Sequence, residues 1–259
     1  MSERHASILP DLFKRRWIVS TLLVIVAVIV MARLGLWQLD RLAQRKEHNA
    51  RLSQGLAQPP LNLNDPLPPD MTAMEYRSAV VTGHYDFSQE VLLRNQYSQE
   101  DQPGFHLLSP FIIEGSSQAV LVDRGWIPLD QDKPEQRVAY AESGTLTVAG
   151  MLRRSQPEPA FGAVPDPQLA AGQNRLDFWL FVNLERIGAQ VDRPLIPVFL
   201  VAAPDPARSG LPQRTLPEVD LSEGSHLGYA LQWFLFATIL LIGYPTYVGT
   251  QLRPRKNKR

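Results

Sequence analysis

Hydrophobic and polar positions divide the chain into three parts, with two long apolar stretches near the ends and mixed composition between them. The first stretch, residues 17–32, reaches the roughly 20 residues needed to cross a membrane only if it continues through Arg33 to Leu39. The second, residues 227–249, has that length, with a polar interruption at Gln232. The pattern predicts spanning helices over 17–39 and 226–249, with one sizeable domain on a single side of the membrane.

Charge predicts the orientation of this helical hairpin. Lysine and arginine concentrate on the cytoplasmic side of spanning helices, and basic residues lie in both the N-terminus (1–16) and the tail (250–259). Three basic residues within 41–46 argue the other way, but residues 220–226 before the second span carry none. We therefore expect cytoplasmic termini and a periplasmic domain. No small-x-small cleavage site follows the first span, which favours an uncleaved anchor in the lipid bilayer of a bacterial inner membrane.

The segment between the spans predicts a β-rich domain. Residues 40–56 have helix-forming composition, 57–72 are proline-rich and predict an extended linker, and the domain proper covers 73–225. Short strand-type runs separated by turn residues indicate antiparallel hairpins. The predicted fold class is a membrane α-helical hairpin carrying a mainly antiparallel β, barrel-like α+β domain. The strand-type runs are 76–85, 90–96, 105–113, 119–128, 145–152, 177–184 and 196–203.

Composition excludes several kinds of chemistry. The chain has no cysteine, so disulfides, thiolate metal sites and covalent haem attachment through C-x-x-C-H are impossible. Its formal net charge of zero gives no reason to expect nucleic acid as a partner. G-x-S-x-G, P-loop and H-E-x-x-H motifs do not occur. A membrane-anchored enzyme is therefore the least favoured function, and we expect none.

His226 is the strongest candidate binding residue, because it opens the second span. Residues at helical spacing place aromatic and small side chains on its face, namely Tyr229, Ala230, Trp233, Phe234 and Ala237. An imidazole at a membrane boundary above aromatic rings suits an axial ligand of haem iron, although such residues also form ordinary interfacial belts. Near the same surface, Arg41 or Arg45 could pair with haem carboxylates, or simply anchor the first helix.

Other polar residues suggest structural roles. His84 and His106 lie in strand-type runs, where a structural or surface histidine is the usual case. The segment 123–126 (Asp-Arg-Gly-Trp) suggests a strand-end turn held by an Asp123–Arg124 pair, with contact to a partner protein as the alternative.

Several segments together resemble the surfeit locus protein 1 family of cytochrome c oxidase assembly factors. They are LGLWQLDR (34–41), YRSAVVTGHYD (76–86), GFHLLSPF (104–111), VLVDRGWIP (120–128), VAGMLR (148–153) and HLGYALQWFLFA (226–237). The resemblance implies a role in maturing the haem-containing oxidase subunit, subunit I, with haem a as the cofactor, haem a synthase as a further partner and His226 as the haem-associated histidine. A haem-free scaffold that holds assembly intermediates is the alternative. The family often has asparagine just before this histidine, where this chain has Gly224 and Ser225.

Overall fold

The computed structural model describes residues 12–156, 164–169, 172–208 and 210–252. The basic tail on which the predicted orientation partly rests, residues 253–259, lies outside this described part. The chain divides into two compact units, one made of residues 1–51 with 221–259 and the other of residues 52–220. Four α-helices are present in the described ranges: α1 Ile18–Leu56, α2 Pro134–Arg137, α3 Leu184–Gly188 and α4 His226–Leu252.

The first unit is an antiparallel helix pair joined by hydrogen bonds at two levels. The Tyr244 hydroxyl of α4 lies 2.8 Å from the Ser20 hydroxyl of α1, and His226 lies 2.8 Å from Gln38. Gln38 follows Ser20 by 18 positions, and Tyr244 follows His226 by the same number. At 1.5 Å per residue this separation is about 27 Å, close to the thickness of a bilayer's hydrocarbon layer.

Small residues allow the two helices to pack closely between those levels. A Cβ on Gly35 of α1 would lie 2.7 Å from the Phe234 ring, so this contact requires glycine in the present geometry. Ala230 and Ala237 lie on the same face of α4 as Phe234 and are buried. Gly35, Ala230 and Ala237 therefore form a narrow contact surface between α1 and α4, called the helix seam below.

Within residues 18–39 and 227–249, the remaining helix surfaces are mostly apolar and exposed. Side chains such as Leu23 on α1 and Leu241 on α4 are 66% and 62% exposed. A helix from a soluble core would bury such residues, whereas a helix in lipid leaves them on its surface. Both α1 and α4 are long and apolar enough to cross a membrane.

Among the described residues of the second unit, eight strands form one sheet. Their bounds are β1 Leu61–Asn62, β2 Ser78–Tyr85, β3 Val91–Tyr97, β4 Pro103–Ile113, β5 Ala119–Pro128, β6 Leu146–Arg154, β7 Phe178–Trp179 and β8 Leu195–Ala202. Five of them close into a ring in the order β2-β6-β8-β5-β4-β2. The remaining strands extend the sheet, β1 beside β2 and β3 with β7 beside β4.

The ring confirms the predicted closed, mainly antiparallel sheet. Four of its pairings are antiparallel, and β5 with β8 is parallel. A five-stranded Greek-key ring is the architecture of OB-type barrels. The sequence did not predict the parallel pairing, because it joins strands separated by a long stretch of chain.

Three apolar clusters stabilise the described part of the second unit, and the two larger ones lie on opposite faces of the ring. Inward-facing side chains such as Phe111, Val122 and Leu200 fill the barrel. Alternate residues of the same strands face outward, where Leu121 and Phe199 pack beneath β7 and α3. Strands of the ring are therefore apolar on both faces, and their sequences read as continuous apolar runs.

The structure departs from the predicted elements in two places. The run 177–184 forms a strand only at Phe178–Trp179, because Asn183 caps α3 by accepting a hydrogen bond from the Arg186 N–H. The proline-rich segment is docked on the barrel, since β1 pairs with β2 and Leu63 is buried in the barrel core. Asn64 strengthens this docking through side-chain hydrogen bonds to the backbone of Thr82.

Candidate functional site

His226 and Gln38 meet at one end of the helix pair. The His226 Nδ1 atom lies 2.8 Å from the Gln38 Oε1 atom. An amide oxygen only accepts hydrogen bonds, so Nδ1 carries the proton. In the neutral ring, Nε2 then keeps its lone pair. The sequence gave no sign that Gln38 contacts His226, 188 positions further along the chain.

The turn before α4 contains Gly224, two residues before His226. Gly224 has a φ of +69°, in the left-handed region that favours glycine and tolerates asparagine. A Cβ on Gly224 would lie 3.5 Å from the His226 ring, which is ordinary van der Waals contact. The backbone here thus adopts a conformation for which Gly224 is suited.

The aromatic residues predicted to accompany His226 fall into two surroundings. Tyr229 is half exposed, and Trp233 is half buried with its ring edge-on to Phe236 at 6.4 Å between centroids. Phe234 instead packs on Gly35 within the helix seam, on the face that also buries Ala230. The rings of Tyr229 and Trp233 therefore remain at least partly exposed on α4, whereas the small residues of this face pack against α1.

The two arginines predicted to meet carboxylates also differ. Arg45 donates a hydrogen bond from Nε to the Ser222 carbonyl at 3.0 Å and so holds the segment leading into α4. Arg41 is exposed, donates to Gln44 at 2.9 Å and stacks over the Trp37 ring. Of the two, Arg41 has the more accessible guanidinium.

Asn49 and Lys46 complete the connection between α1 and the segment before α4. Asn49 donates to the Leu221 carbonyl at 2.6 Å, and Lys46 lies 3.3 Å from the Glu223 carboxylate. These contacts fix the segment that leads into α4 at Leu221 and Glu223, shortly before His226.

The predicted Asp123–Arg124 pair is wrong. Consecutive residues on a strand point to opposite faces of the sheet, so Asp123 faces outward and Arg124 faces the barrel interior. Asp123 instead lies 2.8 Å from His106 Nδ1 and accepts a hydrogen bond from the Gly125 N–H at 3.0 Å.

Arg124 is 1% exposed and belongs to a buried ionic network. Its guanidinium donates to Glu90 at 2.9 Å, lies 3.3 Å from Glu142 and packs over the rings of Tyr85 and Phe87. The carboxylates also meet further arginines, Arg137 at Glu90 and both Arg208 and Arg214 at Glu142. Buried charges persist only when paired in this way, so the network is structural.

His106 lies in a partly buried, charged environment. Burial is the largest single influence on its pKa and lowers it, because burial disfavours the charged ring. The charge of Asp123 and the hydrogen bond to it outweigh burial, so the pKa of His106 is raised above its usual value. The expected structural role of His106 thus involves a specific partner, Asp123, which the sequence did not indicate.

Metal-binding clusters are absent from the part of the chain that the structure describes, where no group of three or more His, Asp or Glu residues is placed to hold an ion. A single imidazole with a bare Nε2, beside aromatic rings, is instead the donor set of an axial haem ligand. His226 offers such a nitrogen, and Tyr229, Trp233 and Arg41 are each at least partly exposed.

Two candidate membrane-spanning helices that bracket a Greek-key barrel define an anchored barrel protein. The model of the SURF1 family matches residues 25–238. This range includes α1 from Ile25 to its end at Leu56, the whole barrel and about the first half of α4. The chain belongs to the SURF1 family, a family generally associated with cytochrome c oxidase assembly.

Individual relatives agree with this assignment. A SURF1-like protein of Monosiga brevicollis is 28% identical over 223 residues, covering 82% of this chain and 81% of the relative. An uncharacterized SURF1-like protein of Mycobacterium tuberculosis is 26% identical over 252 residues, covering 96% and 89%. Surfeit locus protein 1 of Gallus gallus is 25% identical over 231 residues, covering 83% and 71%.

Proposed function

We propose that this protein assists maturation of cytochrome c oxidase by receiving haem a at His226 and presenting it to the oxidase subunit I. The hydrogen bond between His226 Nδ1 and Gln38 Oε1 is the observation that carries the proposal. It fixes the ring as the tautomer whose Nε2 is available to a metal, as partners of the second nitrogen do in other histidine ligands.

The surrounding residues suit an amphiphilic macrocycle. His226 lies at the first position of an apolar helix, where an imidazole at the interface is adjacent to hydrocarbon. Tyr229 and Trp233 offer ring faces beside it, and Phe234 sets the spacing between the helices through Gly35. Arg41 supplies an accessible guanidinium for a carboxylate, while Arg45 holds the Ser222 carbonyl.

Haem, when bound, supplies an iron that takes an imidazole nitrogen and carboxylates that prefer water. This chain's residues then have distinct tasks. His226 provides one strong ligand, and Gln38 orients that ligand. The helix seam keeps α1 and α4 in the register that brings these two side chains together. One ligand in an open setting gives moderate affinity, which suits a protein that must release its cargo.

The same proposal assigns the location and partners. Residues 40–225 are periplasmic, both termini are cytoplasmic, and the helices lie in a bacterial inner membrane. Haem a synthase is the donor and subunit I the acceptor. The support is the basic residues beside the helices, the absence of Lys and Arg from residues 220–226 and the family membership.

Purification from cells that produce haem a tests this function. Wild-type protein should carry haem with a Soret band, and His226→Ala should lose the haem or shift the band strongly while inserting normally. Gln38→Leu should retain the ligand but lower the haem content, because the ring loses its orienting hydrogen bond. His48→Ala, on an exposed face of α1, should behave as wild type.

An unchanged haem content and Soret band in His226→Ala would remove the ligand assignment. The haem-free scaffold would then take its place, provided that the variant still recovers subunit I on affinity purification.

A further inference from the structure

A cleft of about 490 Å³ opens on the outer face of the barrel, within the second unit. Outward-facing residues of the ring form its floor, which is apolar at Phe199 and Val201. Its walls come from residues 96–99, at the end of β3 and just after it, and from the segment 213–217. The volume lies within the range of roughly 300–1,000 Å³ typical of small-molecule sites. OB-type barrels bind ligands on the face of their second and third strands, which here are β4 and β5.

A β-bulge in β5 brings the polar residues of the cleft together. Trp126 pairs with His106, and Asp123 pairs with Leu108, so two residues of β5 oppose Leu107 alone. The extra residue shifts the alternation of faces. Asp123 and Trp126, three positions apart, consequently both line the cleft beside His106.

Two glycines make room for this arrangement. A Cβ on Gly104 would lie 2.3 Å from the Trp126 Nε1 atom. Gly125 has a φ of +114°, and a Cβ there would lie 2.4 Å from the Gln213 carbonyl oxygen. Trp126 and Gln213 exchange backbone hydrogen bonds of 2.9 and 2.8 Å that fix one wall. These glycines lie in the segments GFHLLSPF and VLVDRGWIP, which the haem site does not use.

The cleft contains hydrogen-bond donors without acceptors. Trp126 is 6% exposed, and its Nε1–H, which can only donate, has no partner in the described structure. His106 is held by Asp123 through Nδ1, and its Nε2 has no recorded bond in that same structure. Arg153 also lines the cleft. Its guanidinium is in an ion pair with Glu75, with Nε 3.4 Å from the carboxylate, and stacks over the Tyr76 ring, but its Nε–H has no hydrogen-bond partner in the described residues.

We propose that this cleft binds a carboxylate carried on an apolar group. The indole N–H, the Arg153 guanidinium and the His106 ring supply the donors, and the floor of Phe199 and Val201 receives the apolar part. The Asp123 carboxylate is already engaged by His106 and Gly125, so it does not compete for these donors. The raised pKa of His106 agrees with this, because a protonated ring also donates from Nε2.

Titration of the full-length protein in a neutral maltoside detergent tests the proposal. The probes are 3-phenylpropionate and N-acetyl-glycyl-phenylalanine, each compared with its uncharged amide by saturation-transfer NMR. Either acid should bind at least about tenfold more tightly than its amide, as expected for losing a charged hydrogen-bond acceptor. If phenylpropionate binds, a small free carboxylic acid is sufficient as the ligand. If only the peptide acid binds, the ligand is the carboxy terminus of a peptide.

Matched variants connect this binding to the cleft. Trp126→Phe keeps a ring but removes the unpartnered donor, and should weaken acid binding about tenfold. Leu216→Asp places a charge in the wall and should weaken it further than the isosteric Leu216→Asn. Tyr247→Phe, at an exposed position of α4, should have no effect.

Equal binding of acids and amides, or equal affinities in Leu216→Asp and Leu216→Asn, would overturn the proposal. So would unchanged affinity in a Trp126→Phe protein whose melting temperature matches the wild type. Haem content is measured in every variant and should stay constant, because the proposal is independent of His226.

Discussion

Neighbouring residues of β5 have unrelated surroundings. Asp123 faces a cleft and pairs with His106, while Arg124 is buried in the barrel among carboxylates and aromatic rings. In sequence the two look like a natural ion pair, but a strand separates them onto opposite faces. The bulge at Arg124 and Gly125 then restores Trp126 to the face of Asp123.

The His106–Asp123 pair predicts a pH-dependent contribution to stability. The folded-state pKa of His106 is raised, so the pair's contribution is complete below the usual histidine pKa of about 6.5. It is lost as pH rises through the folded-state pKa. The melting temperature of wild type should exceed that of His106→Asn most near about pH 6 and least near about pH 9.

Asp123→Asn is the matched control for this measurement. Removing the carboxylate should abolish the same pH-dependent difference, because the charge that raises the pKa of His106 is gone. A gap between wild type and His106→Asn that stays constant or widens with pH would contradict the assigned pairing.

Strands and helices could be predicted where local pattern determines them. The runs 105–113 and 119–128 form β4 and β5, since apolar residues on both faces of a strand produce an unbroken apolar run. The parallel pairing of β5 with β8 depends on distant chain segments, and no local pattern encodes it. Likewise, the sequence singled out His226, but its contact with Gln38 arises only when two helices pack.

The helix seam predicts that one glycine-to-valine substitution is destabilising and that another is tolerated. Gly35→Val places side-chain atoms within 3 Å of the Phe234 ring, whereas nothing lies within 4 Å of a Cβ on Gly243. Overpacking should cost about 2 kcal/mol at Gly35, lowering both the melting temperature and the haem content. Gly243→Val, on the same helix pair, should change neither. Similar melting temperatures for the two variants would show that the helices do not pack through Gly35.

At the scale of the whole molecule, the antiparallel helix pair determines which chain ends lie together. The start of α1 and the end of α4 are adjacent, as shown by the Tyr244 hydroxyl beside Ser20. Under our proposal that both helices span the membrane, the segments before α1 and after α4 emerge on the same side. Basic residues in both segments make that side the cytoplasm under our proposal.

Single cysteines can test this orientation cleanly, because the chain has none of its own. In intact spheroplasts, a cysteine at Gln99 should react with an impermeant maleimide, and one at Asn257 should react only after lysis. The reverse pattern would invert the proposed topology, and labelling at both sites would indicate a single span.

The position of β8 in the ring affects when the barrel can close during synthesis. β8 is the last strand in the chain, yet it lies between β6 and β5. Until Leu195–Ala202 has been made, both neighbours present an open edge of the kind that invites wrong pairing. His226 follows Ala202 by only 24 positions, which ribosomes cover in about 1–5 s. During synthesis, barrel closure and the emergence of α4 therefore occur at nearly the same time.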